Sequence, residues 1–385
     1  MEPPLDERPG ANDPTETCAG SLSYKGTTLG QYRLLQCLGE GGMGEVWLAE
    51  QMGSIRRQVA VKVIKAGMDS TQVIARFEAE RQALAVMDHP SIAKVFDGGK
   101  TPEGRPYFAM EYVRGEAITR YCHRRRLSLR ARLELVIQLC EGVQHAHQKG
   151  IIHRDLKPSN VLVAEVDDHP VPRIIDFGIA KAVWQPLSNE LLVTEIGGFV
   201  GTPEYMSPEQ AEVTPIDIDT RSDVYSLGVL LYELLAGTLP FDAGRLRQVG
   251  VDEVRRTVRE QDVPRPSTRV LALASNPGFE GDVSPAKLAK ALRGDLDWIT
   301  MKALEKDRTR RYQTANALAM DLRRHLRNEP ITAGAPSWLY RARKFGRRYR
   351  AGVTVAATLV AVIAVTYSMI LLAGWPSTSS QWLRG

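Results

Sequence analysis

Cysteine is scarce in this chain. Cys18, Cys37, Cys122 and Cys140 are the only four in 385 residues, and no two form a C-x-x-C pair. That spacing argues against a zinc cluster and against a disulfide framework, and a reducing compartment is the natural reading. No repeat at solenoid periods is visible. No apolar segment follows the first methionine: Met1 to about Gly30 is rich in Pro, Asp, Glu, Thr and Gly, which excludes a signal peptide and reads as a disordered leader over 1–30. A basic body is also lacking. The net charge is +5, but Arg341, Arg343, Lys344, Arg347, Arg348 and Arg350 carry six positive charges and Arg384 a seventh, which leaves the remainder at about −2. A nucleic-acid partner thereby loses its electrostatic support. Long apolar runs are missing too, apart from one at the C-terminal end.

What remains is an ordinary globular composition, 43% hydrophobic and 25% charged, in a chain long enough for about two or three units and a sizeable core. β-Prone runs at Tyr32 to Leu38, Val46 to Ala49 and Val59 to Ile64, separated by Gly-rich or polar turns, predict an antiparallel meander. Between the first two lies Gly39-Glu40-Gly41-Gly42-Met43-Gly44-Glu45-Val46, a G-x-G-x-x-G-x-V. Such glycines serve equally well in a hairpin turn or a dinucleotide-binding fingerprint, but the fingerprint must open a helix, and here a strand follows. The next strand carries Val59-Ala60-Val61-Lys62. Asp69-x-x-Gln72 resembles a capping box, opening a helix to about Met87 that contains Glu80. Further strands are expected near Ile92 to Phe96 and Pro106 to Tyr112, and a long helix around Leu129 to His147. His145 and His147, two residues apart, do not share a helix face and read as packing and surface residues, not metal ligands.

The most specific stretch is Ile151-Ile152-His153-Arg154-Asp155-Leu156-Lys157-Pro158-Ser159-Asn160. It resembles H-R-D-L-x-x-x-N. Asp176-Phe177-Gly178 and Ser207-Pro208-Glu209 follow in the order and context of the kinase motifs. Over about Tyr32 to Arg327 the chain resembles the Hanks-type protein kinases, and Lys157 with Gly201-Thr202-Pro203-Glu204-Tyr205-Met206 resembles the serine/threonine branch. The resemblance implies an α+β, two-lobed kinase fold over 31–328, with an N-lobe to about 113 and a C-lobe from about 114. It implies ATP and Mg²⁺ as cofactors, and protein Ser/Thr hydroxyls as acceptors.

The same resemblance implies individual roles. Gly39, Gly41 and Gly44 would admit the phosphates, and Val46, Ala60, Glu111, Val113 and Leu162 would line the adenine site beside the gatekeeper Met110. Lys62 would contact the phosphates and pair with Glu80. Asp155 would accept the substrate proton, Lys157 would touch the γ-phosphate, and Asn160 with Asp176 would hold magnesium. Arg154 would bind a phosphate on the activation loop, with Thr194 the better candidate hydroxyl. Thr202, Glu209, Asp223 and Arg311 would support the catalytic loop, Glu209 pairing with Arg311. The alternative function is a catalytically silent nucleotide-binding scaffold, against which intact Lys62, Glu80, Asp155, Asn160 and Asp176 all count. The segment from about Phe241 to Asp297 reads as an insertion, with a polar loop over Val263 to Pro285.

Residues 351–373 carry no charge and are long enough to cross a hydrocarbon core. The basic stretch 329–350 before them places the kinase side in the cytoplasm. The expectation is a single-pass protein of the cell (inner) membrane, with a juxtamembrane linker whose Trp338, Ala342, Phe345 and Tyr349 recur at helical spacing along an anionic surface. The tail 374–385 is too short to bury a core, so an extracytoplasmic sensor domain is not expected. Gly352-x-x-x-Ala356 would permit close helix approach, leaving a homodimer open.

Overall fold

The computed structural model describes residues 24–41, 44–53, 56–65, 86–177, 202–212, 218–274, 284–334, 337–338, 340, 344 and 350–373. The N-terminal part is a sheet of six strands, β1 (Thr28–Leu29), β2 (Tyr32–Gly41), β3 (Gly44–Gln51), β4 (Arg57–Ile64), β5 (Val95–Lys100) and β6 (Pro106–Glu111), in the order β1-β2-β3-β4-β6-β5. Every described pairing in it is antiparallel. Alternation divides its two faces. Trp47, Ala49, Val59, Val61, Val63, Tyr107 and Ala109 bury together in a small core. The intervening residues point the other way. Val46 lies directly opposite Lys62, and Ala60 opposite Met110. Opposed residues share a face, so Val46, Ala60, Lys62 and Met110 line one surface.

The strand expected near Ile92 to Phe96 begins later, at Val95, and runs through Gly98 and Gly99. Glycine usually weakens a strand, but a Cβ on Gly99 would lie 2.6 Å from the Tyr107 hydroxyl, so close cross-strand packing requires it. Ile92 instead makes a parallel bridge to Ile174. There Ala93 N–H donates to Ile174 O (2.9 Å) and Ile174 N–H to Ser91 O (2.8 Å), tying the strand layer to the second lobe. The capping-box helix with Glu80 lies outside the described residues, and Met87 at its expected end is buried and non-helical.

The second lobe is helical around one large core. Its first elements are β7 (Glu116–Ala117), α1 (Ile118–Arg124) and α2 (Leu129–Gln148), the last capped by Ser128 Oγ accepting from Ala131 N–H. The hairpin β8 (Val161–Val166) and β9 (His169–Ile174) turns at Asp167 and Asp168, both with positive φ. α3 (Thr220–Ala236) starts at an Asp219 cap and ends at Gly237, whose φ of 71° closes the helix in the left-handed conformation. Almost all of α3 is buried, which makes it the lobe's central strut.

The insertion differs from its sequence reading. α4 (Ala243–Gln248), α5 (Val251–Glu260), α6 (Pro266–Ala274) and α7 (Pro285–Leu292) fill most of it, and Val254, Val258, Val270 and Leu292 join the core. Pro266 and Pro285 stand at helix starts, where a missing N–H costs nothing, and residues 275–283 of the expected loop lie outside the described residues. Ser267 donates from its N–H and hydroxyl to Asp297 (3.0 and 2.6 Å), fixing α6 to α8 (Asp295–Ala303). α9 (Ala315–Leu326) completes the lobe.

The stretch expected as a linker from 329 is docked where it is described: Ile331 is buried, and Tyr340 and Lys344 both reach Asp295. Beyond it, α10 (Arg350–Ala373) is a helix of 24 residues. Its side chains are described over 358–369 alone, all exposed, and among the described residues no helix is long and apolar enough to cross a membrane. Cys37 is disulfide-bonded, contrary to the expectation of reduced thiols, whereas Cys122 and Cys140 are free and buried; Cys18 lies outside the described residues. The C-x-x-C criterion tests only local pairs, and a disulfide needs proximity in space.

Candidate active site

The site forms where the strand face bearing Lys62 meets the loops around β8 and β9. Lys62, 8% exposed on β4, ion-pairs with Asp176, which follows β9. The contact spans 114 positions of sequence. Asp176 holds a left-handed φ of 57° and Arg154 one of 64°, conformations costly for non-glycine residues and concentrated at working sites. Glu80, the expected partner of Lys62, lies outside the described residues, as do Gly178 and Thr194.

Asp155, Lys157 and Asn160 converge in one loop. Lys157 Nζ sits 3.0 Å from Asp155 Oδ2. Asn160 Nδ2 donates to the Asp155 carbonyl (2.9 Å) and carboxylate (3.2 Å), and so commits its nitrogen end to Asp155. Ile175 N–H donates to Asn160 O (2.9 Å), which ties this loop to the Asp176 segment.

Asp223 braces the loop from below. Its Oδ2 accepts from His153 N–H and its Oδ1 from Arg154 N–H, both at 2.8 Å. His147 Nε2 donates to the same Oδ2 at 2.7 Å, with both side chains almost fully enclosed. Burial would raise the Asp223 carboxyl, but the hydrogen bond and charge of His147, with help from His153, hold it below the ordinary carboxylate range. His147 is thus an internal donor that sequence reasoning assigned to packing and surface. The available signal was chemical: an enclosed imidazole needs polar partners, and a buried aspartate is the strongest acceptor. Burial also lowers His153, whose Nδ1 accepts from Asp155 N–H (3.3 Å) and whose ring packs on Phe177 at 4.8 Å.

Glu209 and Arg311 lie 102 positions apart and form a buried bidentate pair, with Nη1 to Oε1 at 2.8 Å and Nη2 to Oε2 at 3.1 Å. Ser222 Oγ also donates to Glu209 (2.7 Å). Thr202 begins the turn Pro203–Tyr205, accepting from Tyr205 N–H at its carbonyl (3.3 Å). Gln210 Nε2 donates to Arg154 O (2.8 Å), a link between this turn and the catalytic loop that no motif announced.

The glycines separate into two kinds. A Cβ on Gly39 or Gly41 would meet nothing within 4 Å, so packing does not demand glycine there. A Cβ on Gly44, at φ 155°, would fall 2.1 Å from Val63 O, so that glycine is required by the strand pairing itself. Elsewhere on the site, Val113 is buried, Glu111 and Leu162 are half-buried, and Glu111 Oε1 lies 3.5 Å from Arg173.

The protein kinase domain model matches residues 32–322. The chain belongs to the protein kinase family. This kinase is 35% identical over 308 residues to serine/threonine-protein kinase PknB of Mycobacterium tuberculosis, covering 79% of this chain and 44% of that one. It is 37% identical over 291 residues to serine/threonine-protein kinase pkn2 of Myxococcus xanthus, covering 75% and 32%. The kinase therefore spans less than half the length of these curated relatives. Among solved structures, the kinase domain of M. tuberculosis PknI matches with a TM-score of 0.54 at 25% identity, covering 77% of this chain and 97% of that one.

The residues fit Mg-ATP by their chemistry. Open space over Gly39 and Gly41, an apolar strand face bearing Lys62, and oxygen donors from Asp176 and Asn160 suit a triphosphate with a hard cation. Among the described residues no cluster of three or more His, Cys, Asp or Glu could hold a metal ion, and a cation held by Asp176 and Asn160 would take its other ligands from phosphate and water.

Proposed function

We propose that this protein is a membrane-anchored serine/threonine protein kinase that transfers the γ-phosphoryl group of Mg-ATP to protein hydroxyls. The observation that carries the reading is the convergence of Lys62 and Asp176, from the two lobes, beside the Asp155–Lys157–Asn160 loop. Bound ATP would supply the γ-phosphoryl group, the bond from its phosphorus to the β-phosphate oxygen breaking as the bond to the acceptor oxygen forms so that ADP leaves, and magnesium would neutralise charge on the phosphates. Asp155 orients the acceptor hydroxyl and takes its proton, with Lys157 beside it offsetting negative charge. Asp176 and Asn160 would hold the cation, and Lys62, beside Asp176, would offset negative charge on the phosphates. Asp223 keeps the backbone at His153 and Arg154 in place through the cycle.

Membrane anchoring rests on the charge-free sequence of 351–373 following a basic flank, and on the 24-residue helix that covers it. Arg154 lies next to the catalytic aspartate, and Thr194 is its proposed phosphorylated partner. Incubation of the full chain with labelled Mg-ATP and a generic protein substrate, beside Asp155→Asn, tests the activity: incorporation by the parent alone is expected, and equal incorporation by both would refute it. Extraction of cell membranes with carbonate tests the anchor. Retention in the pellet is expected, and release into the supernatant would remove the membrane from the proposal.

A further inference from the structure

The kinase-domain match ends at residue 322, yet beyond it Thr332, Ala333, Tyr340 and Lys344 still contact the helical lobe. Two enclosed carboxylates organise this extension. Asp321 of α9 accepts from Thr332 N–H (2.9 and 3.0 Å), the Thr332 hydroxyl (2.7 Å) and Ala333 N–H (3.0 Å), besides Tyr312 OH and Arg324. Asp295, in the first turn of α8, accepts from His325 Nδ1 (2.9 Å), Tyr340 OH (3.0 Å) and the Lys344 ammonium. The Tyr340 hydroxyl also accepts from Ile331 N–H (3.2 Å), joining the two ends of the segment, and its ring meets Trp298 edge-on at 5.6 Å. Gly334 lies so close to Trp298 that a Cβ would approach its ring to 3.0 Å.

These are not the contacts of a solvated basic linker. Lysine is rarely buried without a partner, and the Lys344 and Asp295 side chains are each only 8% exposed. One charge of the basic flank is therefore committed to the protein interior. The tie is also close to the framework of the lobe: Asp295 holds the extension and Asp297, two residues on, holds α6 through Ser267.

We propose that residues 331–344 form a strap, latched at Asp295 and Asp321, that makes α10 a short, constrained extension of the catalytic lobe instead of the far end of a free tether. The difference in reach is large. A free segment from 329 to 349 could extend about 70 Å, at roughly 3.3–3.6 Å per residue, whereas with Lys344 docked only residues 345–349 remain, spanning at most about 18 Å. Its cellular consequence rests on the membrane reading above. With α10 in the bilayer, the lobe is held next to the membrane surface, and its acceptors are proteins that come within that reach, a second copy of this chain included.

The test is hydrogen–deuterium exchange on the full chain in detergent micelles, so that the latch is measured wherever α10 resides in cells. Amides of 331–333 in the parent should exchange at least about tenfold slower than unstructured-peptide rates. Tyr340→Phe removes a donor to Asp295, and Lys344→Ala removes its ammonium partner. Each should raise exchange across 331–344 by about tenfold while α2 amides keep their protection, which shows that the lobe remains folded. Peptide-like rates in the parent, or unchanged protection in Lys344→Ala, would overturn the strap. Should Tyr340→Phe also loosen α2, Lys344→Ala decides, since it deletes a contact outside the matched domain.

Discussion

Single residues carry the chemistry, and their environments predict how each fails. Asp155 sits against Lys157 and Asn160, and Asp155→Asn preserves both neighbours while removing the proposed proton acceptor. Turnover should fall by about 10²–10⁴-fold with circular dichroism and Tm unchanged. Arg311 is different, because its loss leaves a buried, negatively charged Glu209 behind. Arg311→Met should cost about 3–5 kcal/mol, read as a Tm lower by roughly 10 °C, with activity lost through instability. A smaller drop than that in Arg311→Met/Glu209→Gln would show that the uncompensated charge, not the lost packing, dominates.

At the scale of elements, the glycine loop holds two physical roles in one motif. Gly44→Ala puts a methyl group into the Val63 carbonyl of the neighbouring strand and should destabilise the strand layer by about 1–3 kcal/mol in a thermal melt. Gly39→Ala and Gly41→Ala meet open space and should leave Tm within about 1 °C of the parent while raising KM for ATP. A Tm loss at Gly39 equal to that at Gly44 would assign both glycines to folding. The helices offer a second case. α2 delivers His147 to Asp223 on α3, and Asp223 in turn grips the loop backbone at His153 and Arg154. His147→Ala should therefore lower kcat more than it raises KM, with His147→Gln restoring part of the loss through its amide donor.

For the whole molecule, pH is the probe that sums these environments. Burial depresses His153, so the stability associated with its neutral form is complete above the unfolded value near 6.5 and declines as pH falls below it. Burial pushes the Asp295 carboxyl up, but hydrogen bonds from His325 and Lys344 prevail and hold it at about 2. Its contribution is present above the unfolded value near 3.9 and is lost between about pH 4 and 2, amounting to at most about 2.6 kcal/mol. Denaturant titrations across pH should show both declines, and Asp295→Asn should shrink the lower one, leaving the part carried by Asp223, Glu209 and Asp321, whose carboxyls are also held low.

The division between sequence and tertiary structure follows from the range of the interactions. Strand alternation, the long α2 helix, the Gly237 stop and the spacing of the Asp155 and Asp176 motifs arise from contacts within a few residues, and each was legible in the one-dimensional pattern. The helix over 351–373 was readable for the same reason, since the lack of charge in those residues is local. Short windows failed where the deciding partner lay far along the chain. The helices of the insertion depend on burial in the core of the helical lobe, the passage of β5 through Gly99 on a tyrosine across the sheet, and the disulfide at Cys37 on proximity that no spacing rule measures. His147 looked unremarkable beside His145 until α3 brought Asp223 to it. A basic stretch likewise read as solvated linker until the fold supplied two enclosed carboxylates for its donors. Local backbone and side-chain preferences wrote the elements and the catalytic motifs into the sequence; burial and charge pairing between separate elements chose their partners, and those energies exist only once the chain has closed on itself.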